Sequence, residues 1–186
     1  MSWSIRAATV DDIPDLVRLR RVMFEAMGHS DADALDRMCA ASAAYFARDL
    51  PTDAFRAWVA VSSGTDSVSA GDETGSGETG TCRWRAIRPG EPGESGPVAS
   101  IGLVVHDVPP SPGRTAGREA YIMNLVTLPT HRRRGIAGAL LHHVLDVVRA
   151  EGIPVASLHA TGAGRGIYAR AGFALDPDLP ELRLSL

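Results

Sequence analysis

A run of three arginines followed by small residues, RRRGIA at positions 132–137, constrains the fold of this chain more than any other feature. It follows an apolar stretch at 121–128 that is typical of a strand, and it precedes the amphipathic pattern of a helix at 138–151. The first turn of a helix carries N–H groups without intrahelical acceptors, and the helix dipole favours negative charge there. Gly135 and Ala137 leave room for a ligand to approach the backbone. The segment therefore predicts a binding site for a pyrophosphate.

Composition weighs on the alternatives for this run. The formal net charge is −3 at pH 7 and no further basic residues flank the arginines, which disfavours a nucleic-acid or targeting patch without excluding it. A solvated turn without a ligand is the second alternative. All 19 basic residues are arginine, which excludes a Schiff-base lysine and a phosphate-binding lysine of the Walker type.

The length of 186 residues predicts a single mixed α/β domain, residues 1–186. Apolar periodicity and the Pro and Gly breakers predict the element order β-α-α-β-β-β-α-β-α-β. The first helix is expected to be capped by Thr9 or Asp11 and to end at Gly28. The other helices are expected at 30–49, 138–151 and 166–171, and the strands at 3–7, 55–62, 97–106, 119–128, 154–160 and 181–186.

Residues 62–96 are rich in Gly, Ser, Thr, Glu and Pro, a composition that cannot bury enough apolar surface to offset the entropy of ordering it. We expect a flexible insertion there. Cys39 and Cys82 are too few for a disulfide or zinc framework. The chain has no apolar run of the roughly 18 residues that span a bilayer, and its N-terminus has no signal-peptide core. A cytoplasmic location is therefore expected.

Two segments in the last third of the chain resemble the motifs of a known family. Residues 124–141 (NLVTLPTHRRRGIAGALL) resemble the acetyl-CoA motif of the GNAT superfamily of N-acyltransferases, an apolar strand and a proline followed by Gln/Arg-x-x-Gly-x-Gly/Ala. Residues 158–161 (LHAT) with 168–173 (YARAGF) are similar to the family's second motif, a strand followed by Tyr-x-x-x-Gly-Phe. Their order and spacing also agree. The resemblance implies a GNAT-like α/β (α+β) fold, with one mixed central sheet and helices on both faces.

The resemblance also implies how acetyl-CoA is held. The strand end at Leu125, Val126 and Thr127 would pair with the pantetheine arm as an added strand does. An N–H group near Val126 or Thr127 would polarise the thioester carbonyl. Thr161 stands where the family often has a cofactor-contacting asparagine, and a threonine hydroxyl replaces that amide only in part. The residues expected to hold the pyrophosphate are Arg132, Arg133, Arg134, Gly135, Ile136, Ala137 (where glycine is more usual) and Gly138.

Tyr168 would protonate the departing CoA thiolate as the general acid; the alternative is a tyrosine that only packs under the loop. The general base is not evident from the sequence. Carboxylates and histidines that flank the central strands or end the first helix are His106, Asp107, Glu119 and Glu25, and each can equally be a solvated residue. No metal is expected.

The function implied is a cytoplasmic N-acetyltransferase that moves an acetyl group from acetyl-CoA to an amine by direct attack in a ternary complex. The expected partner is a small-molecule amine, such as an amino acid, a polyamine or an aminoglycoside, or the N-terminus of a peptide. No nucleic acid or membrane is expected, and a homodimer is left open. A CoA-binding sensor or structural domain without turnover is the alternative function.

Overall fold

The computed structural model describes residues 2–63, 96–110, 115 and 117–175. Within these ranges the strands and α-helices are β1 (Ser2–Ala7), α1 (Ile13–Ala26), α2 (Ala32–Asp49), β2 (Arg56–Ser63), β3 (Pro97–Asp107), β4 (Arg118–Thr127), α3 (Ile136–Ala150), β5 (Ala156–Leu158) and α4 (Arg165–Arg170). They follow the predicted order. Cys82, the expected strand at 181–186 and nearly all of the expected insertion at 62–96 lie outside the described residues.

Local signals set the boundary between the first two helices. Gly28 follows α1 with φ of +96°, a left-handed conformation that favours glycine, and its N–H donates to the carbonyl of Glu25 at 3.0 Å. The side chain of Asp31 caps α2 by accepting a hydrogen bond from the N–H of Ala34 at 3.0 Å. The predicted end of α1 is confirmed, and α2 begins two residues later than predicted because Asp31 is its cap.

The described strands form one sheet in the order β1-β2-β3-β4-β5. The pairs β1/β2, β2/β3 and β3/β4 are antiparallel, whereas β5 is parallel to β4. The pairing of β4 with β5 is short and ends at Ile122 and Leu158. Because the two strands are parallel, the turns that follow them lie at the same edge of the sheet.

Helices cover both faces of this sheet, as predicted. Along β2, Ala57 and Val59 pack in a buried cluster with residues of α1 and α2, while Trp58 and Ala60 pack in a cluster with residues of α3. Successive side chains of a strand point to opposite faces. The helices α1 and α2 therefore lie on one face, and α3 lies on the other.

Two boundaries near the predicted site differ from the sequence-based expectation. The helix expected from residue 138 begins at Ile136, because Gly135 takes a left-handed conformation that turns the chain directly into the helix. The strand expected at 154–160 is reduced to Ala156–Leu158. Pro154 has no N–H to donate to a ladder, and the pairing with β4 ends at Leu158.

Candidate active site

A β-bulge in β4 shapes the site. Ser100 of β3 pairs with Val126, and Gly102 pairs with Met123. The chain therefore advances three residues along β4 while it advances two along β3. Asn124 lies in the extra step with φ of +55°, a left-handed conformation that asparagine tolerates better than most residues. The bulge inserts one residue into β4 immediately beyond its last pair with β5.

The bulge determines which peptide groups of β4 face away from β3. The N–H of Leu128 donates to the carbonyl of Val98 on β3 at 2.9 Å. Peptide groups alternate in direction along an antiparallel strand, so those of Val126 also point to β3, and those of Leu125 and Thr127 point away from it. Nε of Arg132 donates to the Thr127 carbonyl at 3.2 Å from that outer side.

The outer side of β4 borders a gap. The pairing with β5 ends at Ile122 and Leu158, a point that we call the vertex. Beyond it, residues 123–127 have no described strand beside them on the β5 side. We call this opening the β4/β5 gap. The peptide groups of Leu125 and Thr127 face it, and they could pair there with an extended ligand.

The N-terminus of α3 follows β4 at the same edge of the sheet. The first helical hydrogen bond runs from the N–H of Ala139 to the carbonyl of Gly135 at 3.0 Å, so the three preceding N–H groups, of residues 136–138, lack intrahelical acceptors. Gly135 is the N-cap residue, with φ of +79°, and no side chain caps the helix. A Cβ atom on Gly135 would meet nothing within 4 Å. Open N–H groups at the positive end of a helix dipole fit an anion.

The three arginines of the predicted pyrophosphate site directly precede this helix end in the chain. Arg132, Arg133 and Arg134 are exposed, and Arg133 has φ of +62°. Gly135 is also exposed, whereas Ile136 is buried in the cluster under α3. Only the backbone of Ile136 can therefore face a ligand.

Tyr168 lies on α4, behind the turn that follows β5. Its ring is half-buried and packs edge-on against Phe173, with ring centroids 6.1 Å apart. A Cβ atom on Gly164 would lie 2.9 Å from the Tyr168 ring, so only glycine admits the ring at this distance. The Tyr168 hydroxyl has no hydrogen-bond partner among the described residues. Burial raises the pKa of Tyr168, which keeps the hydroxyl protonated at neutral pH.

Thr161 lies in the turn between β5 and α4. Its hydroxyl oxygen accepts a hydrogen bond from the N–H of Gly164 at 3.3 Å, and its carbonyl accepts one from Arg165 at 3.1 Å. The side chain thus caps the turn that carries Tyr168. It retains a hydroxyl proton with which to meet a ligand.

The fold separates most of the candidate bases from this site. His106, Asp107 and Glu119 lie at the start of β4 and the end of β3, where His106 pairs with Glu119. Glu119 lies three residues before Ile122, the β4 residue of the last pair with β5, a span of about 10 Å along the strand. Glu25 forms an ion pair with Arg21 at 3.0 Å. None of these four residues lies at the vertex.

Sequence reasoning missed several polar residues around the bulge. Arg20 of α1 donates to the side-chain oxygen of Asn124 and stacks over Phe24, 5.0 Å from its ring centroid. Burial lowers the pKa of Arg20. On the other side of the bulge, the Tyr121 hydroxyl is hydrogen-bonded to Nδ1 of His159. The left-handed preference of asparagine was a usable signal for the bulge, but no sequence pattern links these distant pairs.

The described ranges hold neither a cluster of metal-binding side chains nor a helix that could span a membrane. No three His, Cys, Asp or Glu side chains there are close enough together to hold a metal ion. No helix in the same ranges combines the length and the apolar character that a membrane span requires.

Comparisons with known proteins agree with this geometry. Residues 111–175 match the family model described as an acetyltransferase (GNAT) domain. A GCN5-related N-acetyltransferase from Ralstonia eutropha JMP134 superposes with a TM-score of 0.73 and 27% identity, over 98% of this chain and 99% of that one. A predicted acetyltransferase from Clostridium acetobutylicum, solved with acetyl-CoA, has a TM-score of 0.71 and 22% identity, over 98% of this chain and 96% of that one.

Sequence relatives cover a smaller part of the chain. N-acetyltransferase Eis of Mycobacterium tuberculosis is 37% identical over 71 residues, which are 38% of this chain and 17% of Eis. An uncharacterised N-acetyltransferase of Streptomyces coelicolor is 36% identical over 78 residues, 40% of this chain and 19% of that protein. The chain thus matches less than a fifth of the length of either relative. The domain match over residues 111–175 and the superposition over 98% of the chain agree: the chain has a GNAT-like fold and carries a segment that matches the GNAT acetyltransferase domain.

Proposed function

We propose that this protein transfers an acetyl group from acetyl-CoA to a primary amine of a small molecule or peptide, by direct attack in a ternary complex. One observation carries the proposal: the β4/β5 gap, the uncapped N-terminus of α3 and the Tyr168 turn lie at one edge of the sheet. Acetyl-CoA carries a pantetheine arm, a pyrophosphate and a thioester. A strand edge, an anion site and a protonated hydroxyl are the groups that suit these three parts.

The donor would lie with its pyrophosphate at the start of α3. The N–H groups of residues 136–138 would hold the phosphates, and Arg132, Arg133 and Arg134 would balance their charge. The pantetheine arm would then run along β4 from Thr127 towards Leu125, hydrogen-bonded to the peptide groups on the outer side of the strand. The residues fit this donor because peptide groups of β4 and α3, three exposed arginines and the Tyr168 hydroxyl are found at the same edge of the sheet.

Bound acetyl-CoA supplies a thioester carbonyl, and two groups of this chain would act on it. The N–H of Leu125, at the inner end of the β4/β5 gap, would donate to the carbonyl oxygen and stabilise the charge that develops there. The Tyr168 hydroxyl would protonate the departing thiolate. Its raised pKa means that the proton is present on the hydroxyl at neutral pH.

Release of the CoA thiol tests the proposal. Wild-type protein and acetyl-CoA are incubated with glycine, spermidine, kanamycin, tyramine or a peptide with a free N-terminus, and free thiol is followed with a colorimetric reagent. We expect at least one amine to release CoA above the rate without acceptor. Tyr168→Phe should lower kcat for that amine about 100-fold and leave the KM for acetyl-CoA unchanged.

The matched control is Tyr45→Phe, a half-buried tyrosine that packs in the α1/α2 cluster and should retain wild-type kcat. If no amine releases CoA, the transferase proposal fails. Tight CoA binding by calorimetry together with that result would favour a CoA-binding domain without turnover. Cytoplasmic location, single-domain organisation and a homodimer stay predictions from the sequence.

A further inference from the structure

A tyrosine and a histidine meet where β4 and β5 separate. The Tyr121 hydroxyl is hydrogen-bonded to Nδ1 of His159, and their ring centroids are 5.5 Å apart with the rings inclined at 68°. Tyr121 pairs with Ser157 in the ladder, one step before the last pair, and His159 directly follows Leu158. The pair therefore lies at the vertex. We call it the Tyr121–His159 pair.

The vertex is where the reacting carbonyl of a bound donor would be expected. A donor anchored at the start of α3 extends along β4 from Thr127 to Leu125, so its acyl end lies at the inner end of the β4/β5 gap. Continuing the parallel register places His159 across from Met123, two residues from Leu125. Two residues of strand span about 7 Å, a distance that an amine and its proton acceptor can bridge.

The pair lies on the sheet face that α1 and α2 cover. Tyr121 and Met123 alternate along β4 with Ala120 and Ile122, which belong to the cluster under α3. His159 is exposed and Tyr121 is half-buried. An acceptor can therefore reach the imidazole without crossing the core.

Described residues with titratable or charged side chains lie on the elements next to the pair. Glu119 precedes Tyr121 by two residues on the same face of β4. His106 of β3 is the ladder partner of Glu119. Arg20 approaches the bulge from α1. An imidazole can accept a proton near neutral pH, as a general base must, whereas the guanidinium of Arg20 has no acceptor atom.

We propose that His159 is the general base of the acetyl transfer and that Tyr121 orients its imidazole; this rests on the proposed function. The acceptor arrives as an ammonium ion and gives one proton to the imidazole. Its freed electron pair forms the C–N bond to the thioester carbon, and the C–S bond breaks with its electrons on sulfur. Tyr168 protonates that sulfur and regains a proton from solvent, while the second nitrogen proton and the imidazole proton go to solvent. The sum is one acetyl amide, one CoA thiol and one released proton.

Steady-state kinetics of His159→Gln, Tyr121→Phe and the double variant test this proposal, with whichever amine of the panel the wild type acetylates fastest. His159→Gln should lower kcat at least 100-fold and leave the KM for acetyl-CoA within twofold. Tyr121→Phe should lower kcat less. The double variant should be no slower than His159→Gln, because residues that act as a unit are not additive.

Imidazole added to His159→Ala should restore part of the lost kcat, which a purely structural role for His159 would not predict. His106→Gln is the matched control, an exposed histidine at the far end of β3, and it should keep wild-type kcat. Thermal unfolding checks that each variant folds. If His159→Gln keeps kcat within threefold of wild type while the wild type turns over, the base assignment is wrong and the transferase function stands. If the wild type releases no CoA, both are wrong.

Discussion

Replacing Gly102 by alanine tests how tightly the sheet is packed behind the bulge. A Cβ atom at this position would lie 2.7 Å from Cε2 and Cζ of Phe55 and 3.4 Å from Cγ of Met123. The Phe55 ring cannot retreat freely, because it is 1% exposed and stacks on Phe46 with ring centroids 5.0 Å apart. Either β3 or the ring must shift.

The size of the effect follows from two opposing contributions. Overpacking a core of this density costs about 1–3 kcal/mol. Alanine is favoured over glycine inside a strand by roughly 0.5–1 kcal/mol, because it loses less backbone entropy on folding. We therefore expect Gly102→Ala to lower the free energy of unfolding by about 1–2 kcal/mol, which corresponds to a fall in Tm of about 2–8 °C for a chain of this length.

Thermal and urea unfolding of a double-mutant cycle identify the cause. Phe55→Leu shortens the ring that the new methyl group meets, so Gly102→Ala should cost about 1 kcal/mol less in that background than in the wild type. Gly138→Ala is the control, since a Cβ there meets nothing within 4 Å, and it should stabilise α3 slightly. Additive effects of Gly102→Ala and Phe55→Leu, or an unchanged Tm for Gly102→Ala, would refute the packing argument.

Three further predictions concern charge and backbone conformation. Asp12 accepts hydrogen bonds from Arg6 at 2.6 and 2.7 Å, which lower the pKa of its carboxyl in the folded protein. This carboxylate therefore stabilises the folded protein above the unfolded-state pKa of about 4. The stabilisation is lost as the pH falls through the lower pKa of the folded state. Urea unfolding should show Asp12→Asn about 1–2 kcal/mol less stable than wild type at pH 7 and closer to it at pH 3. Asn124→Ala should cost about 1–2 kcal/mol because of its left-handed conformation, and Asn124→Gly should cost less, by calorimetry. Arg133→Ala should raise the KM for acetyl-CoA about tenfold, and the KM for acetyl-pantetheine, which lacks the pyrophosphate, should not change.

The sequence was sufficient to predict the elements whose signals are local. Gly28 ends α1 as predicted, because a glycine after an apolar periodic run adopts the left-handed conformation that stops a helix. The strand, turn and helix around 121–150 were also predicted, since the run at 132–137 contains both the turn and the first helical residues. The start of α3 was placed two residues late because the N-cap is a glycine, whose backbone conformation has no side-chain signature.

The polar pairs around the bulge could not be predicted from the sequence. Arg20 and Asn124 are 104 residues apart in the chain, and Tyr121 and His159 are 38 apart. Each contact depends on the pairing register of β4 with β3 and β5. A shift of one residue in that register reverses every side chain, and the apolar pattern of β4 alone does not specify it.

The bulge explains how a regular sheet can expose a binding edge between β4 and β5. In the paired part of β4, the N–H of Ala120 donates to the carbonyl of Val155 on the β5 side at 3.0 Å. Without the extra residue, the even-numbered residues of β4 would keep facing β5 and the odd-numbered ones β3. Residues 124, 126 and 128 would then face β5 and continue the ladder. Because Asn124 is inserted, Leu125 and Thr127 face outward instead, just where β5 has no described residue paired with them. A single left-handed residue thus ends the parallel pairing and offers two peptide groups to a ligand beside the start of α3.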